Sequence, residues 1–119
     1  MNETPKNSNW IVKFRNAFRG VRVGAQGGKT NSFWIHIPVA IAVILLGIVR
    51  ETSSSDFALL LICIGVVLAA EYFNSAVERL AKSITSSDDE NIRDALDIAS
   101  GAVLVVAIFS AVVGIMVLF

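Results

Sequence analysis

The C-terminal segment from Ile98 to Phe119 constrains the fold most, because none of its 22 residues carries a charge. Roughly 20 predominantly apolar residues are enough for a helix to cross the hydrocarbon core of a bilayer. A helix on the surface of a soluble domain needs a polar face, which this segment lacks. The segment therefore predicts a transmembrane helix. A packed soluble helical bundle is the competing interpretation.

Two further apolar segments precede it along the chain. One runs from Phe33 to Val49, and the other begins at Phe57 and continues as a helical pattern to Leu80. The chain has 119 residues, of which 55% are hydrophobic, and this favours one membrane domain over an ordinary soluble one. The predicted fold is all-α integral membrane, a single domain over 1–119 with a surface helix at 8–23 and transmembrane helices at 33–49, 57–80 and 92–118.

The N-terminal third is basic, since six of the ten lysines and arginines precede Asn31 against one acid, Glu3. Apolar residues recur among these charges at helical spacing from Trp10 to Val21, which predicts an amphipathic helix in the headgroup layer. This helix either only anchors the protein or also grips the substrate, with Arg19 as a candidate contact. Because positive residues favour the cytoplasm, we expect a cytoplasmic N-terminus. We expect no nucleic-acid partner.

The segment VGAQGGKT, from Val23 to Thr30, is similar to a phosphate-binding loop but does not fit one. The first glycine of that motif would have to stand at Val23, and no buried strand precedes the segment. We interpret the glycines as a flexible turn into the first span, where Lys29 is placed to meet a phosphate as a lone charge.

Three polar side chains share one face of the second apolar segment as it nears its end. Glu71, Asn74 and Glu78 are spaced i, i+3 and i+7, and helical residues advance by about 100° each. Ionisable groups at membrane depth are expensive and usually face a bundle interior or a wet cavity, so this stripe indicates a site. The alternative is a solvated helix end, with Glu78 paired to Lys82 one turn later.

The start of the third segment adds carboxylates to this stripe. Asp97 opens it, Asp94 lies one turn earlier, and Ser100 and Gly101 are small enough to let another helix approach closely. A carboxylate cluster between two helices near the cytoplasmic surface is what a magnesium–nucleotide site needs, because magnesium prefers a few carboxylate oxygens together with phosphates and water.

At these residues the chain resembles a known family. The block EYFNSAVE, followed nineteen residues after Glu78 by the aspartate of ALDIASGAVL, is similar to the signature of the bacterial diacylglycerol kinase and undecaprenol kinase family. The segment NAFRGVR before the first span adds a weaker likeness. The resemblance implies a homotrimeric lipid kinase in the bacterial inner membrane, with active sites between neighbouring subunits. It also implies transfer of the γ-phosphoryl group of Mg-ATP to diacylglycerol or undecaprenol.

The resemblance also implies a role for each matching residue. Glu71 corresponds to the general base that takes the proton from the lipid hydroxyl. Glu78 corresponds to a magnesium-binding carboxylate that also contacts the nucleotide. Asn74 and Asp97 correspond to residues at the nucleotide. Ser100 is a further candidate for substrate contact, beside Glu71.

Two positions depart from the family pattern. The family has a second metal-binding glutamate where this chain has Thr30, and a lysine that neutralises ATP phosphates where it has Leu96. Our hypothesis is that Arg93 and Lys29 supply the missing positive charge. The alternatives are a weakly active or inactive relative with a membrane assembly role, and a small proton-coupled transporter, which would also use a membrane glutamate.

The single histidine, His36, lies in the first turns of the first predicted span. A polar cap at the membrane interface is one interpretation of it. The other is a contact with the lipid headgroup or with ATP.

Overall fold

The structure, a computed structural model, describes residues 9–26, 33–84 and 89–119. In these ranges the chain forms four helices and no strand: α1 (Trp10–Ala25), α2 (Phe33–Val49), α3 (Ser54–Ile84) and α4 (Glu90–Leu118). The all-α prediction is confirmed at this level.

Side chains just ahead of three helices cap their free N–H groups and determine where the helices begin. The Asn9 side chain accepts a hydrogen bond from the Val12 N–H at 3.0 Å, ahead of α1. The Ser53 hydroxyl accepts from the Asp56 N–H at 3.1 Å, ahead of α3. Asp89 does the same for the N–H groups of the first turn of α4. Such caps satisfy donors that have no partner within the helix.

The α2 helix has the predicted bounds, 33–49, whereas the other three helices differ from the predicted segments because caps define their starts. The sequence predicts the surface helix at 8–23, and α1 runs from Trp10 to Ala25. It predicts the second span at 57–80, whereas α3 begins at Ser54 and ends at Ile84. It predicts the third at 92–118, whereas α4 begins at Glu90. Polar turns extend α3 and α4 beyond their apolar runs.

A tight four-residue connection, 50–53, joins α2 to α3. The Thr52 N–H donates to the Gly47 carbonyl at 3.2 Å and the Glu51 N–H donates to the Ile48 carbonyl at 3.1 Å. With Glu51 in the left-handed region at φ 56°, this is the Schellman pattern that ends many helices. The connection turns the chain through an antiparallel hairpin.

The register of the α2–α3 hairpin follows from two contacts. A Cβ placed on Gly47 would lie 3.2 Å from the Leu60 side chain, so the two helices approach closely there. Farther from the turn, His36 meets Glu71. The two contacts lie eleven residues apart on both helices, from 36 to 47 on α2 and from 60 to 71 on α3. The helices therefore stay in register over about 16 Å.

Helix α3 packs along α4 and, less extensively, along α2, whereas α2 barely touches α4. An apolar groove with a cavity volume of about 430 Å³ therefore lies between the three helices. It extends from His36 near the start of α2 to Phe119 after the end of α4. The Arg50 guanidinium, just beyond the end of α2, stacks over the Phe119 ring at 4.8 Å from its centroid.

The outer surface of the helices is apolar. Among the described residues only three apolar side chains are buried, those of Leu60, Val67 and Leu118, whereas Phe109 is 68% and Met116 75% exposed. Soluble monomers rarely expose apolar surface on this scale. In the described ranges, α3 and α4 are long and apolar enough to cross a membrane, and α2 is a shorter apolar helix. The packed soluble bundle is therefore disfavoured.

Candidate active site

Glu71 is the centre of the candidate site because it is the most deeply buried charged side chain among the described residues. Its side chain is 1% exposed, and its Oε2 atom lies 2.8 Å from Nε2 of His36, which is 23% exposed. Burying a carboxylate is costly unless it is paired and hydrogen-bonded. The hairpin meets this cost by bringing the histidine of α2 to the height of the glutamate of α3.

Asn74 and Glu78 form the next turns of the same helix face. The Asn74 side-chain amide donates from Nδ2 to Glu78 Oε2 at 3.3 Å. This bond orients the amide and leaves its other end, Oδ1, buried and without a hydrogen-bond partner in the described part of the chain. A buried acceptor in this state indicates either strain or a position for a ligand. Glu78 makes no ion pair with Lys82 in the described ranges, so the alternative of a simple helix-end pair is not what forms.

Helix α1 docks beside the site through Tyr72, the residue after Glu71. The Tyr72 hydroxyl donates to the Val21 carbonyl at 2.9 Å. Gly24 lies against the Cδ1–Cε1 edge of the Tyr72 ring, where a Cβ would overlap these two ring carbons. The α1 position is therefore tied to the turn of α3 that carries Glu71.

The site residues predicted on the other elements are not brought into contact with this cluster. Arg93, Asp97 and Ser100 are exposed on α4, and Arg19 is exposed on α1. The Asp97 side chain makes no hydrogen bond or ion pair to any described residue. Lys29 and Thr30 lie outside the described residues.

The donor side chains in the described ranges limit the kind of metal site that the chain can form. No group of three or more histidine, cysteine, aspartate or glutamate side chains in the described ranges is gathered closely enough to hold a metal ion. Magnesium, however, commonly uses one or two carboxylates and takes its other ligands from substrate phosphates and water. The Glu78 carboxylate and the partnerless Asn74 oxygen fit a magnesium ion that binds together with a nucleotide.

The apolar groove opens directly at the histidine. His36 is part of its wall, whereas Glu71 is not. The rest of the wall is almost entirely apolar, with Cys63 and Ser110 as its other polar side chains among the described residues. The arrangement suits a long hydrocarbon chain with a polar end group at His36.

Fold and site together define a helical protein of the membrane in which a buried carboxylate pairs with a half-buried histidine at one end of an apolar groove. The family described as prokaryotic diacylglycerol kinase matches residues 15–118 of the chain. A similar protein is the undecaprenol kinase of Bacillus subtilis (strain 168), which is 30% identical over 108 residues covering 91% of this chain and 86% of the relative. No solved structure matches the chain.

The chain belongs to the prokaryotic diacylglycerol kinase family. It is a bacterial membrane protein and a lipid kinase, a phosphotransferase with an alcohol group as acceptor. The predicted resemblance and enzyme class are thus confirmed.

The sequence leaves two interpretations of His36 open, and the structure places its imidazole against the Glu71 carboxylate. The sequence held a signal for this contact. Because α2 and α3 are joined by a short connection, residues at comparable distances from it lie at similar heights on the two helices. A histidine and a glutamate at such positions, both on mostly apolar helices, are natural partners.

Proposed function

We propose that this protein transfers the γ-phosphoryl group of Mg-ATP to the hydroxyl of a membrane lipid alcohol, diacylglycerol or undecaprenol. The observation that carries the proposal is the pair of buried Glu71 with half-buried His36 where the apolar groove ends, beside the Asn74–Glu78 pair. A groove for hydrocarbon and a polar site for phosphate meet there. The name of the Bacillus relative favours undecaprenol as the first lipid to test.

The proposed roles follow the positions of the side chains. Glu71 serves the reaction as the base that removes the proton of the lipid hydroxyl. Asn74 and Glu78, one and two turns farther along α3, hold the nucleotide, with the fixed Asn74 amide presenting its oxygen. Phosphoryl transfer needs little covalent chemistry from a protein, so positioning and charge neutralisation carry most of the catalysis.

Magnesium is proposed to bind at Glu78 and the Asn74 oxygen, where it would supply positive charge to the phosphates. Asp97 and Arg93 of α4 are proposed to complete the nucleotide site. Lys29 would contribute a further cation in place of the lysine that the family has where this chain carries Leu96. Ser100 and Arg19 are proposed substrate contacts.

The membrane arrangement belongs to the same proposal. Helices α2, α3 and α4 would cross the inner membrane as three spans, with α1 in the headgroup layer and the N-terminus in the cytoplasm. The exposed apolar surfaces of α2 to α4 and the mixed basic and apolar surface of α1 support this arrangement. The chain would assemble as a homotrimer.

A weakly active or inactive relative is the second candidate, and it rests on Thr30 and Leu96. These two residues remove a metal carboxylate and a phosphate cation from their usual places. Family membership and the intact α3 cluster favour the active kinase over this candidate and over a transporter.

The test is transfer of labelled γ-phosphate from Mg-ATP by the purified protein in mixed micelles. Diacylglycerol and undecaprenol are supplied in parallel, and Glu71→Gln is the matched control. We expect phosphorylated lipid from the wild type, loss of transfer in Glu71→Gln, and loss of transfer when magnesium is chelated. Folded wild-type protein that labels neither lipid would support the inactive relative.

A further inference from the structure

The His36 imidazole connects the apolar groove to the Glu71 carboxylate. The imidazole is 23% exposed and is part of the groove wall, whereas the Glu71 side chain is 1% exposed and is not. A lipid that lies in the groove with its hydroxyl at the polar end therefore brings that hydroxyl beside His36, next to the proposed base. The rate of proton transfer then depends on what holds the Glu71 carboxylate in place.

The carboxylate of Glu71 is held from a different helix. Nε2 of His36 on α2 donates a hydrogen bond to Oε2 of Glu71 on α3, at 2.8 Å. The amide of Asn74, the next site residue along α3, donates to Glu78 instead. A glutamate side chain is long and has many rotamers to lose. A donor on a second helix, fixed by the α2–α3 register, is therefore well placed to restrict the carboxylate to one orientation.

A hydrogen bond from His36 is compatible with a role of Glu71 as a base. A carboxylate has two oxygens with about four lone-pair positions between them, so it can accept this bond and a proton as well. Phosphoryl transfer depends mainly on positioning, and a displacement of about 1 Å can cost on the order of 10²-fold in rate. The orientation of the carboxylate is therefore worth a dedicated hydrogen bond.

We propose that His36 is a positioning residue, whose Nε2–H group holds the Glu71 carboxylate at the polar end of the groove, while Glu71 remains the base. This inference rests on the proposed kinase function. In the step, the lipid O–H bond breaks and its proton passes to Glu71. The lipid oxygen bonds to the γ-phosphorus of the nucleotide, and the bond from that phosphorus to the β–γ bridging oxygen breaks. ADP leaves with the electron pair, and the proton on Glu71 is then released to water. His36 keeps its own proton throughout.

Two variants separate the hydrogen bond of His36 from the shape of its ring. His36→Phe keeps a ring in the groove wall but has no donor. His36→Gln loses the ring but has an amide N–H that can donate to Glu71. Ile41→Ala is the control, because Ile41 is exposed on α2 and does not line the groove. Each protein is assayed in mixed micelles with undecaprenol and with diacylglycerol, and rates are given per folded protein.

We expect the kcat of His36→Phe to fall about 10- to 100-fold, because the base loses its orientation. The KM values for Mg-ATP and for lipid should stay near those of the wild type, because the α3 nucleotide residues and the groove wall are kept. His36→Gln should recover most of the lost rate, and Ile41→Ala should keep the wild-type rate. A role in shaping the groove alone would reverse the order, with His36→Phe more active than His36→Gln.

Two results would overturn the inference while leaving the kinase function intact. One is a folded His36→Phe protein with wild-type kcat, and the other is a folded His36→Gln protein that is as slow as His36→Phe. Should His36→Phe not fold, His36→Asn takes its place, because its amide is one methylene shorter and reaches less far toward Glu71. Equal rates of His36→Asn and His36→Gln would then overturn the inference. Wild-type protein without any transfer would instead remove the kinase function, and the inference with it.

Discussion

Single residues in the α3 cluster are arranged at a cost to folding. An unsatisfied buried acceptor costs about 1–3 kcal/mol, and Asn74 Oδ1 has no partner within the described ranges. The Glu71 carboxylate is also buried, and it takes its hydrogen bond from a different helix. Binding and catalytic sites commonly contain such buried polar groups, which serve function and reduce the stability of the fold. The stability cost can be measured by substituting the residue that carries the unsatisfied group.

Asn74→Leu tests whether the orientation of the amide serves binding. The variant removes the partnerless oxygen and the bond to Glu78 while nearly keeping the side-chain volume. We expect the KM for Mg-ATP to rise about tenfold, which corresponds to about 1.4 kcal/mol. Thermal stability in detergent should be no lower than that of the wild type, because a buried orphan acceptor has been removed.

Ser83→Ala on the same helix is the matched control for Asn74→Leu. Among the described residues, the Ser83 hydroxyl bonds only to the Leu80 carbonyl one turn earlier, on the exposed end of α3. A lower unfolding temperature for Asn74→Leu together with an unchanged KM would show that the amide is structural.

The residues of the stripe could be predicted because helical periodicity alone places positions 71, 74 and 78 on one face. The contact of Glu71 with His36 had only a coarse signal, their comparable distances from the short α2–α3 connection, because the partner comes from another helix and the exact pairing depends on register. The register depends in turn on the backbone conformation of Glu51, and a glutamate in the left-handed region is not something that its residue type signals.

At the scale of elements, the apolar runs predicted α2 with its observed bounds, and α3 and α4 without their first residues. The polar turns of α3 from Glu71 to Leu80, which hold the candidate site residues, belong to the predicted helix, whereas the final turn to Ile84 does not. The groove was not predicted, because it arises from unequal packing. Helix α2 packs against α3 and makes little contact with α4, which leaves a groove between the three helices. Periodicity identifies an apolar face but not which neighbour covers it.

The docking of α1 onto α3 depends on Gly24, and a pair of glycine variants tests it. Gly24→Ala would place a methyl group into the Tyr72 ring, which would have to move and give up its bond to the Val21 carbonyl. Gly20→Ala in the same helix meets nothing within 4 Å. We expect faster hydrogen exchange of α1 amides in Gly24→Ala, and slower or unchanged exchange in Gly20→Ala because alanine favours helix.

Kinase activity provides a second measurement on the same glycine pair. Tyr72 follows Glu71 on α3, so a displaced ring should lower the rate of Gly24→Ala several-fold and leave Gly20→Ala unaffected. Tyr72→Phe, which removes only the hydroxyl that donates to Val21, should loosen α1 less than Gly24→Ala does. Equal exchange in both glycine variants would mean that α1 is held by other contacts.

At the scale of the whole molecule, one chain does not bring all the proposed site residues together. Glu71, Asn74 and Glu78 share one face of α3, where Asn74 bonds to Glu78, whereas Asp97 on α4 is exposed and bonds to no described side chain. The sequence pattern placed all four together near one surface, which the single chain does not do. A site built across two subunits would explain the difference, since a heterologous contact in a ring joins one face of a subunit to a different face of the next.

Mixing two inactive variants distinguishes a shared site from a site within one chain. Glu71→Gln damages the α3 side and Asp97→Asn the α4 side. If neighbouring subunits each supply one side, random co-assembly from a denatured equal mixture should restore about a quarter of the sites, because half of the α3 sides and half of the α4 sides are intact. The measurement is lipid phosphorylation by the refolded mixture, relative to wild type treated identically.

A mixture of Glu71→Gln with Glu78→Gln is the control and should stay inactive, because every α3 side is then damaged. If the first mixture recovers no activity, the whole site lies within one chain. If Asp97→Asn alone is fully active, Asp97 does not belong to the site.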